Sequence, residues 1–186
     1  MLIMNEMTAA NLRSAFGGES KAHMRYKVWA TKAEKEGFPN VARLFTAVAY
    51  AEEVHASNHF NALGDEKGEY LVASMAGFGV SDTSQHLEWA AEGEHFEIHQ
   101  MYPAYLEVAK MQGEKSAIRS MHYAIEAEKI HEKLYIEAKK SVDNGEDYDI
   151  EDVHICDVCG YTAIDGVPDV CPICGAKKEK FTSFIK

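Results

Sequence analysis

The first 155 residues of this 186-residue chain contain no cysteine, and all four thiols fall between Cys156 and Cys174. That gap excludes a disulfide framework through the body of the chain. Long apolar runs are also missing. None approaches the roughly 20 residues that a membrane-spanning helix needs, so no membrane partner is expected. The first 18 residues show no basic segment followed by an apolar one, and no secretory signal is expected. Positive charge is scarce: 19 Lys and Arg stand against 30 Asp and Glu, a net charge of −11. Nucleic acid is excluded as the main partner, because phosphate binding needs clustered bases.

What charge there is has a pattern. Residues 1–142 hold 20 acids and 15 bases, 143–152 hold six acids and no base, and 154–186 hold four of each. The middle run reads as an extended, solvated acidic linker over 143–153, between a helical unit at 1–142 and a small unit at 154–186. The length suits one well-buried domain with an appendage.

The first unit carries helical periodicity throughout. Leu12, Glu19, Tyr26 and Ala33 repeat every seven residues, and Gly37-Phe38-Pro39 breaks the pattern. Further stripes run Val41, Phe45, Val48, Glu52, His55; then Leu87, Ala90, Glu94, Met101; then Ile118, Met121, Ile125, Glu128, Tyr135. Residues 64–82 read as a long, glycine-rich connection. Short, long and short connections between four helices predict a bundle with one crossover. The two helix pairs also resemble each other. Gly18-Glu19 matches Gly93-Glu94 at an offset of 75, while Gly37 matches Gly113, and Glu52-x-x-His55 matches Glu128-x-x-His131, at an offset of 76.

This duplication repeats a ligand pattern. Glu19 and Glu94 come singly from two helices, and Glu52 with His55 and Glu128 with His131 come as Glu-x-x-His pairs from the other two. A spacing of three puts both side chains on one helix face. Such a set is that of the di-iron or di-manganese centres of ferritin-like bundles, and oxygen-rich ligation suits iron or manganese. A lone Glu-x-x-His is ordinarily a solvated pair. Two copies on apolar stripes are different, since unpaired carboxylates in a core are prohibitive without cations. Glu97 breaks the symmetry, because its counterpart is Ala22. Tyr26 and Tyr102 are expected to hydrogen-bond the carboxylates from outside the ligand set. His59 reads as a helix-end histidine. His23, His86, His95, His99, His122 and His154 show no partner in sequence.

Cys156-x-x-Cys159 and Cys171-x-x-Cys174, separated by eleven residues, read as one four-thiolate metal site. A 33-residue tail cannot bury enough core to fold without metal. Spacing alone leaves iron and zinc both open. Thiols held for metal fit a reducing compartment, and a cytoplasmic location is expected.

Cys156-x-x-Cys159-Gly160-Tyr161 with Cys171-Pro172-x-Cys174-Gly175 resembles rubredoxin. Joined to Gly18-Glu19-Ser20, Glu52-x-x-His55, Glu94-x-x-Glu97, Met101-Tyr102-Pro103 and Glu128-x-x-His131, it makes nearly the whole chain similar to the rubrerythrin family. The resemblance implies an all-α four-helix ferritin-like bundle followed by a small, metal-stabilised rubredoxin-like β domain. It implies a non-haem di-iron peroxidase that reduces hydrogen peroxide to water and protects against oxidative stress. The implied di-iron ligands are Glu19, Glu52, His55, Glu94, Glu97, Glu128 and His131. One iron is implied to shift between Glu97 and His55 with oxidation state. The implied electron carrier is an iron held by Cys156, Cys159, Cys171 and Cys174, reloaded by an outside reductase or rubredoxin. The family also implies a homodimer in which one subunit's cysteine site serves its partner. Two departures touch no ligand: a loop between the cysteine pairs about a residue short, and Lys129 where an acid is common.

Chain reach bears on that dimer. About 12 helical residues follow His131, roughly 18 Å, and ten extended residues return at most about 35 Å. Return within one subunit is conceivable, but delivery across a dimer asks less of the linker and is the expectation. The rivals are an oxygen reductase or ferroxidase on the same centre, and a non-enzymatic bundle with a structural zinc ribbon.

Overall fold

Two helical hairpins of similar design build the first unit. A computed structural model describes residues 4–164 and 166–186. In the first hairpin α1 (Glu6–Glu36) turns at Gly37 into α2 (Pro39–Ala62). In the second, α3 (Thr83–Phe96) runs through a π-helical turn, Glu97–Met101, into α4 (Tyr102–Gln112), and Gly113 leads to α5 (Lys115–Asp143). Gly37 and Gly113 end α1 and α4 at φ 87° and 74°, a conformation that costs a glycine nothing. Asp82 caps α3 by accepting from Gln85 N at 2.8 Å. The helices pack α1 on α2, α3 on α5, and α2 on α5.

The core is split. One apolar cluster holds Tyr26, Trp29, Phe45, Leu87, Leu134 and Tyr135; another holds Leu12, Ala15, Tyr102, Met121 and Ala124. Between them lies a layer of buried charge described below. Each cluster excludes water from its side of that layer, which is what gives the carboxylates their unusual electrostatics.

The long connection at 64–82 forms no helix before Thr83. Its backbone is tied to α1: Lys21 Nζ donates to Ser74 O at 2.6 Å, and Trp29 Nε1 to Gly79 O at 3.4 Å. Its apolar side chains face outward, with Leu71, Met75, Phe78 and Val80 largely exposed.

Residues 144–152 correct one expectation. They form neither helix nor strand, yet they are fastened to the bundle rather than solvated throughout. Asp147 accepts from Asn40 N at 2.8 Å and Val41 N at 3.3 Å, so it satisfies the free N–H groups at the start of α2. Arg43 Nη2 donates to Ile150 O at 2.6 Å, and Ile150 itself is buried.

The tail forms a three-stranded antiparallel sheet, with β1 (Val153–Cys156) between β2 (Thr162–Ala163) and β3 (Phe181–Phe184). Val153 and Ile155 join the bundle's apolar cluster, so the tail seats on α2 and α5 of its own chain. Tyr50 Oη donates to Asp157 Oδ1 at 3.1 Å and Asn58 Nδ2 to Val158 O at 2.9 Å. The reach estimate allowed return within one subunit, and that is the arrangement of this chain. Once its middle is pinned at Asp147 and Ile150, the linker returns the tail to its own bundle.

Candidate metal centre

Four helices each bring acidic side chains to the charged layer. Ligand atoms of Glu19, Glu52, His55 and Glu128 lie within 4.8 Å of one another, and so do those of Glu52, Glu94, Glu128 and His131. Glu52 and Glu128 belong to both groups and stand between them. All six residues are 2 % exposed or less. His55 Nδ1 sits 3.0 Å from Glu52 Oε2 and 2.9 Å from Glu128 Oε1, and His131 Nδ1 sits 2.7 Å from Glu128 Oε2.

Glu97, the seventh residue expected there, borders the layer without joining either group. It opens the π turn, is half-buried, and lines a cleft of about 660 Å³ with Gly18, Met101 and Tyr105. The π turn explains a sequence irregularity. The offset between hairpins is 75 at Glu19 and Glu94 but 76 at Tyr26 and Tyr102. The added residue is absorbed where hydrogen bonds span five residues.

The electrostatics show what the layer lacks when only protein atoms are counted. Burial, then the nearby Glu128 and Glu19, push the Glu52 carboxyl well above its ordinary range. Burial with Glu128 and Glu52 does the same to Glu94, and burial with Glu19 and Glu94 to Glu97. Burial alone would raise Glu128 too, but His55 and His131 on either side hold it low. Burial opposes a charge on His55, yet Glu128 and Glu52 raise it well above its usual value. Glu19 Oε2, Glu52 Oε1 and Glu97 Oε2 are buried with no hydrogen-bond partner. Stranded carboxylate oxygens cost several kcal/mol each. Two hard cations would relieve all of them, so the donor set fits a carboxylate-bridged metal pair.

The tyrosines lie where the sequence places them. Tyr26 Oη donates to Glu94 Oε1 at 2.6 Å, and Tyr102 Oη donates to Glu19 Oε1, so each hairpin's tyrosine serves the other hairpin's glutamate. His59 stands in the last turn of α2, as expected, and is fully buried there, 2.9 Å from Tyr102 Oη and 2.8 Å from Ser120 Oγ. Its spacing of four from His55 put it on the ligand face, and that was the available signal. Of the other histidines, His23 Nδ1 contacts Ala49 O at 2.6 Å, His86 stacks on Trp29, His122 lies beside Tyr123, and His154 pairs with Ser183.

The thiols converge in the tail. Cys156 and Cys174 Sγ are 3.6 Å apart, and Cys159 and Cys171 Sγ are 3.5 Å apart. A four-sulfur tetrahedron with bonds of about 2.3 Å has edges of about 3.8 Å, so small adjustments would seat a metal ion. The Cys159 thiol, together with the Val158 and Cys159 N–H groups, lowers Cys156 to about 5 against its burial, a thiolate prepared for a cation.

Two residues of the tail reach the layer itself. His131 Nε2 is hydrogen-bonded to Thr162 Oγ1 at 2.8 Å, which fixes the ring with Nδ1 toward the carboxylates. Gly160 passes so close to His55 that a Cβ there would lie 2.1 Å from Nε2. Neither contact is legible in the sequence.

Comparison with known proteins agrees with this architecture. The family model "Rubrerythrin" matches residues 10–139, and "Rubrerythrin, rubredoxin-like domain" matches residues 154–182. The chain belongs to the rubrerythrin family. It is 50% identical to Rubrerythrin-2 of Clostridium acetobutylicum over 99% of this chain and 100% of that one. Nigerythrin of Nitratidesulfovibrio vulgaris is 31% identical over 95% of this chain and 86% of its own. The structure of fully reduced, all-ferrous nigerythrin superimposes with a TM-score of 0.83 at 31% identity, covering 95% of this chain and 86% of that one. With the donor sets above, family membership gives the chain a rubrerythrin-type di-iron site in its Glu/His layer and a rubredoxin-like four-cysteine iron site in its tail.

Proposed function

We propose that this protein is a peroxidase that reduces hydrogen peroxide to water at the di-iron site, with electrons relayed through the tail. The observation that carries it is the seating of the four-cysteine unit against both imidazoles, through Gly160 at His55 and Thr162 at His131. A storage or ferroxidase bundle has no use for such a contact. The ligands we assign are Glu19, Glu52, His55, Glu94, Glu97, Glu128 and His131 for the pair, and Cys156, Cys159, Cys171 and Cys174 for the single ion.

When bound in the ferrous state, the metal pair supplies the two electrons that O–O cleavage requires and polarises the reacting oxygens. The balance is H2O2 + 2 H+ + 2 e− → 2 H2O. The chain's own residues do the rest. Glu52 and Glu128 belong to both ligand groups and would serve both ions. Tyr26 and Tyr102 hold Glu94 and Glu19 in fixed orientation. Glu97 borders the cleft beneath the 73–78 segment, wide enough for a small oxidant and walled by Trp29, Phe78 and Trp89. The apolar clusters keep bulk water away. The tail carries one electron at a time, so an outside reductase or a rubredoxin-type donor must reload it twice per turnover.

The tail's position on its own bundle supports delivery within one chain. A homodimer remains part of this proposal, supported by the outward-facing Leu71, Met75, Phe78 and Val80. A cytoplasmic location is consistent with the reduced thiols and with helices none of which is long and apolar enough to cross a membrane, among the described residues.

The test is turnover by anaerobically reduced, iron-loaded protein with a supplied electron donor. One peroxide should disappear for every two electrons consumed, faster than dioxygen does at equal concentration. Faster consumption of dioxygen would make the protein an oxygen reductase instead.

A further inference from the structure

The second hairpin holds a group of metal donors that the di-iron centre does not use. His95 and His99 lie on one outer face, at the end of α3 and in the π turn, and Glu132 faces them from α5. His95 Nδ1 is 2.7 Å from Glu132 Oε1, and the His95 and His99 rings are tilted by 48° with centroids 4.3 Å apart. One ligand atom from each of the three lies within 4.8 Å of the other two. His99 makes no hydrogen bond to any described residue, so its donor nitrogens are not committed elsewhere.

We propose that His95, His99 and Glu132 form a separate, surface-accessible site for a divalent first-row transition-metal ion, with water completing its coordination.

The chemistry of the donors selects the ion. Two imidazoles and one carboxylate suit zinc, copper, nickel or ferrous iron, and suit magnesium or calcium poorly. The geometry needs little change. Donors around a tetrahedral ion with bonds of about 2.0–2.1 Å stand about 3.3 Å apart. His95 and Glu132 would open slightly and His99 would close, and exposed side chains have the rotamer freedom for both. His95 is 59% exposed at the side chain and Glu132 22%, so the ion can arrive from solvent.

The chain supplies its own control. In the first hairpin Ser20 stands for His95, Met24 or His23 for His99 (the inserted residue falls in that turn) and Ala56 for Glu132, which offer at most one imidazole in place of three donors. The site thus departs from the shared frame in the same hairpin as Glu97, and Glu97 lies in sequence between its two histidines. An ion held there would join the π turn to α5 and so brace the backbone that carries Glu97.

The probe is zinc, added to iron-loaded full-length protein and followed by equilibrium dialysis with metal analysis. One zinc per chain should bind with iron content unchanged. His99→Ala, His95→Ala and Glu132→Gln should each weaken that binding at least about tenfold, the size expected from disturbing metal coordination. Amide hydrogen exchange over residues 97–101 should slow with zinc in the parent chain and not in His99→Ala. Zinc taken up only as iron is lost would overturn the proposal, as would no added zinc. Binding that survives all three substitutions would overturn it as well. Each variant lies on the surface, and any one that fails to fold leaves the other two to decide.

Discussion

The two hairpins share one frame and differ in what hangs on it. Each supplies a lone glutamate, a Glu-x-x-His pair and a tyrosine that reaches across to the other's glutamate. The first has Ala22 where the second has Glu97, and an unbroken α1 where the second has a π turn. His59 in the first supports Tyr102, whereas its counterpart Tyr135 is buried with an unpaired hydroxyl. The tail extends this asymmetry, placing bare backbone at His55 and a hydroxyl at His131. Duplication built a symmetric cage for two ions, and a few local departures made the two positions unequal.

The largest expected effect comes from breaking the contact at His55. Gly160→Leu cannot keep the approach, and electron delivery should fall on the order of a hundredfold, as expected when reacting groups are displaced by about an ångström. Stopped-flow reduction of the di-iron site checks this, with iron content as the control. Mixing chains sharpens it. A chain inactivated at Cys174→Ser, mixed with one inactivated at Glu52→Ala, should stay inactive if delivery is within one chain. Recovery in the mixture would restore transfer between subunits.

Next in size is Glu97→Ala, which makes the second hairpin copy the first. Losing even an outer partner of a ligand costs roughly tenfold to a hundredfold in metal affinity, and removing a proposed ligand should cost at least that at one ion only. Titration of iron into metal-free protein should then show two unequal steps.

Metal removal tests the electrostatics of the shared layer. Glu52 and Glu94 have folded values raised above the ordinary 4.5, so the folded metal-free chain holds protons that the unfolded chain releases. Their stabilising protonation is lost as pH rises from about 4.5 through the raised values. His55, also raised, acts in the same direction above about 6.5. Glu128 is lowered, so its contribution is lost only when pH falls below the carboxylate range. Metal-free protein should therefore melt higher at pH 5.5 than at pH 7.5, and iron should remove or reverse that difference. Calorimetry of both forms decides it; a metal-free chain more stable at pH 7.5 would contradict the account.

The smallest effects separate a buried polar group that has a partner from one that has none. Thr162→Val leaves His131 Nε2 unpaired and should cost about 1–3 kcal/mol, read from denaturant unfolding. Tyr135→Phe removes a hydroxyl that has no partner, and should be neutral or slightly stabilising.

Much of this was legible in the residues. Ligand spacing on apolar stripes marks Glu19, Glu52, His55, Glu94, Glu128 and His131, because helical periodicity converts spacing directly into a shared face. The π turn was visible as the change of offset from 75 to 76, which only needed to be read as an inserted residue. The linker misled, since six acids suggest solvation while Asp147 in fact caps α2. The helix-end place of His59 was legible, but its burial depends on Ser120 and Tyr102, far away in sequence. The docking of Gly160 and Thr162 depends on how two units meet, and periodicity carries no information about that.

The most direct test is a single turnover. Protein reduced at all its irons is mixed anaerobically with one peroxide per chain, and the visible band of the four-cysteine iron is followed. Peroxide takes its two electrons from the metal pair. If the tail feeds that pair through the His55 and His131 contacts, the oxidised band returns after peroxide loss as the tail reduces the pair. Gly160→Leu then slows that return while leaving peroxide loss unchanged. A tail iron that stays reduced after the pair has been oxidised, or a Gly160→Leu chain that behaves like the parent, would contradict the account.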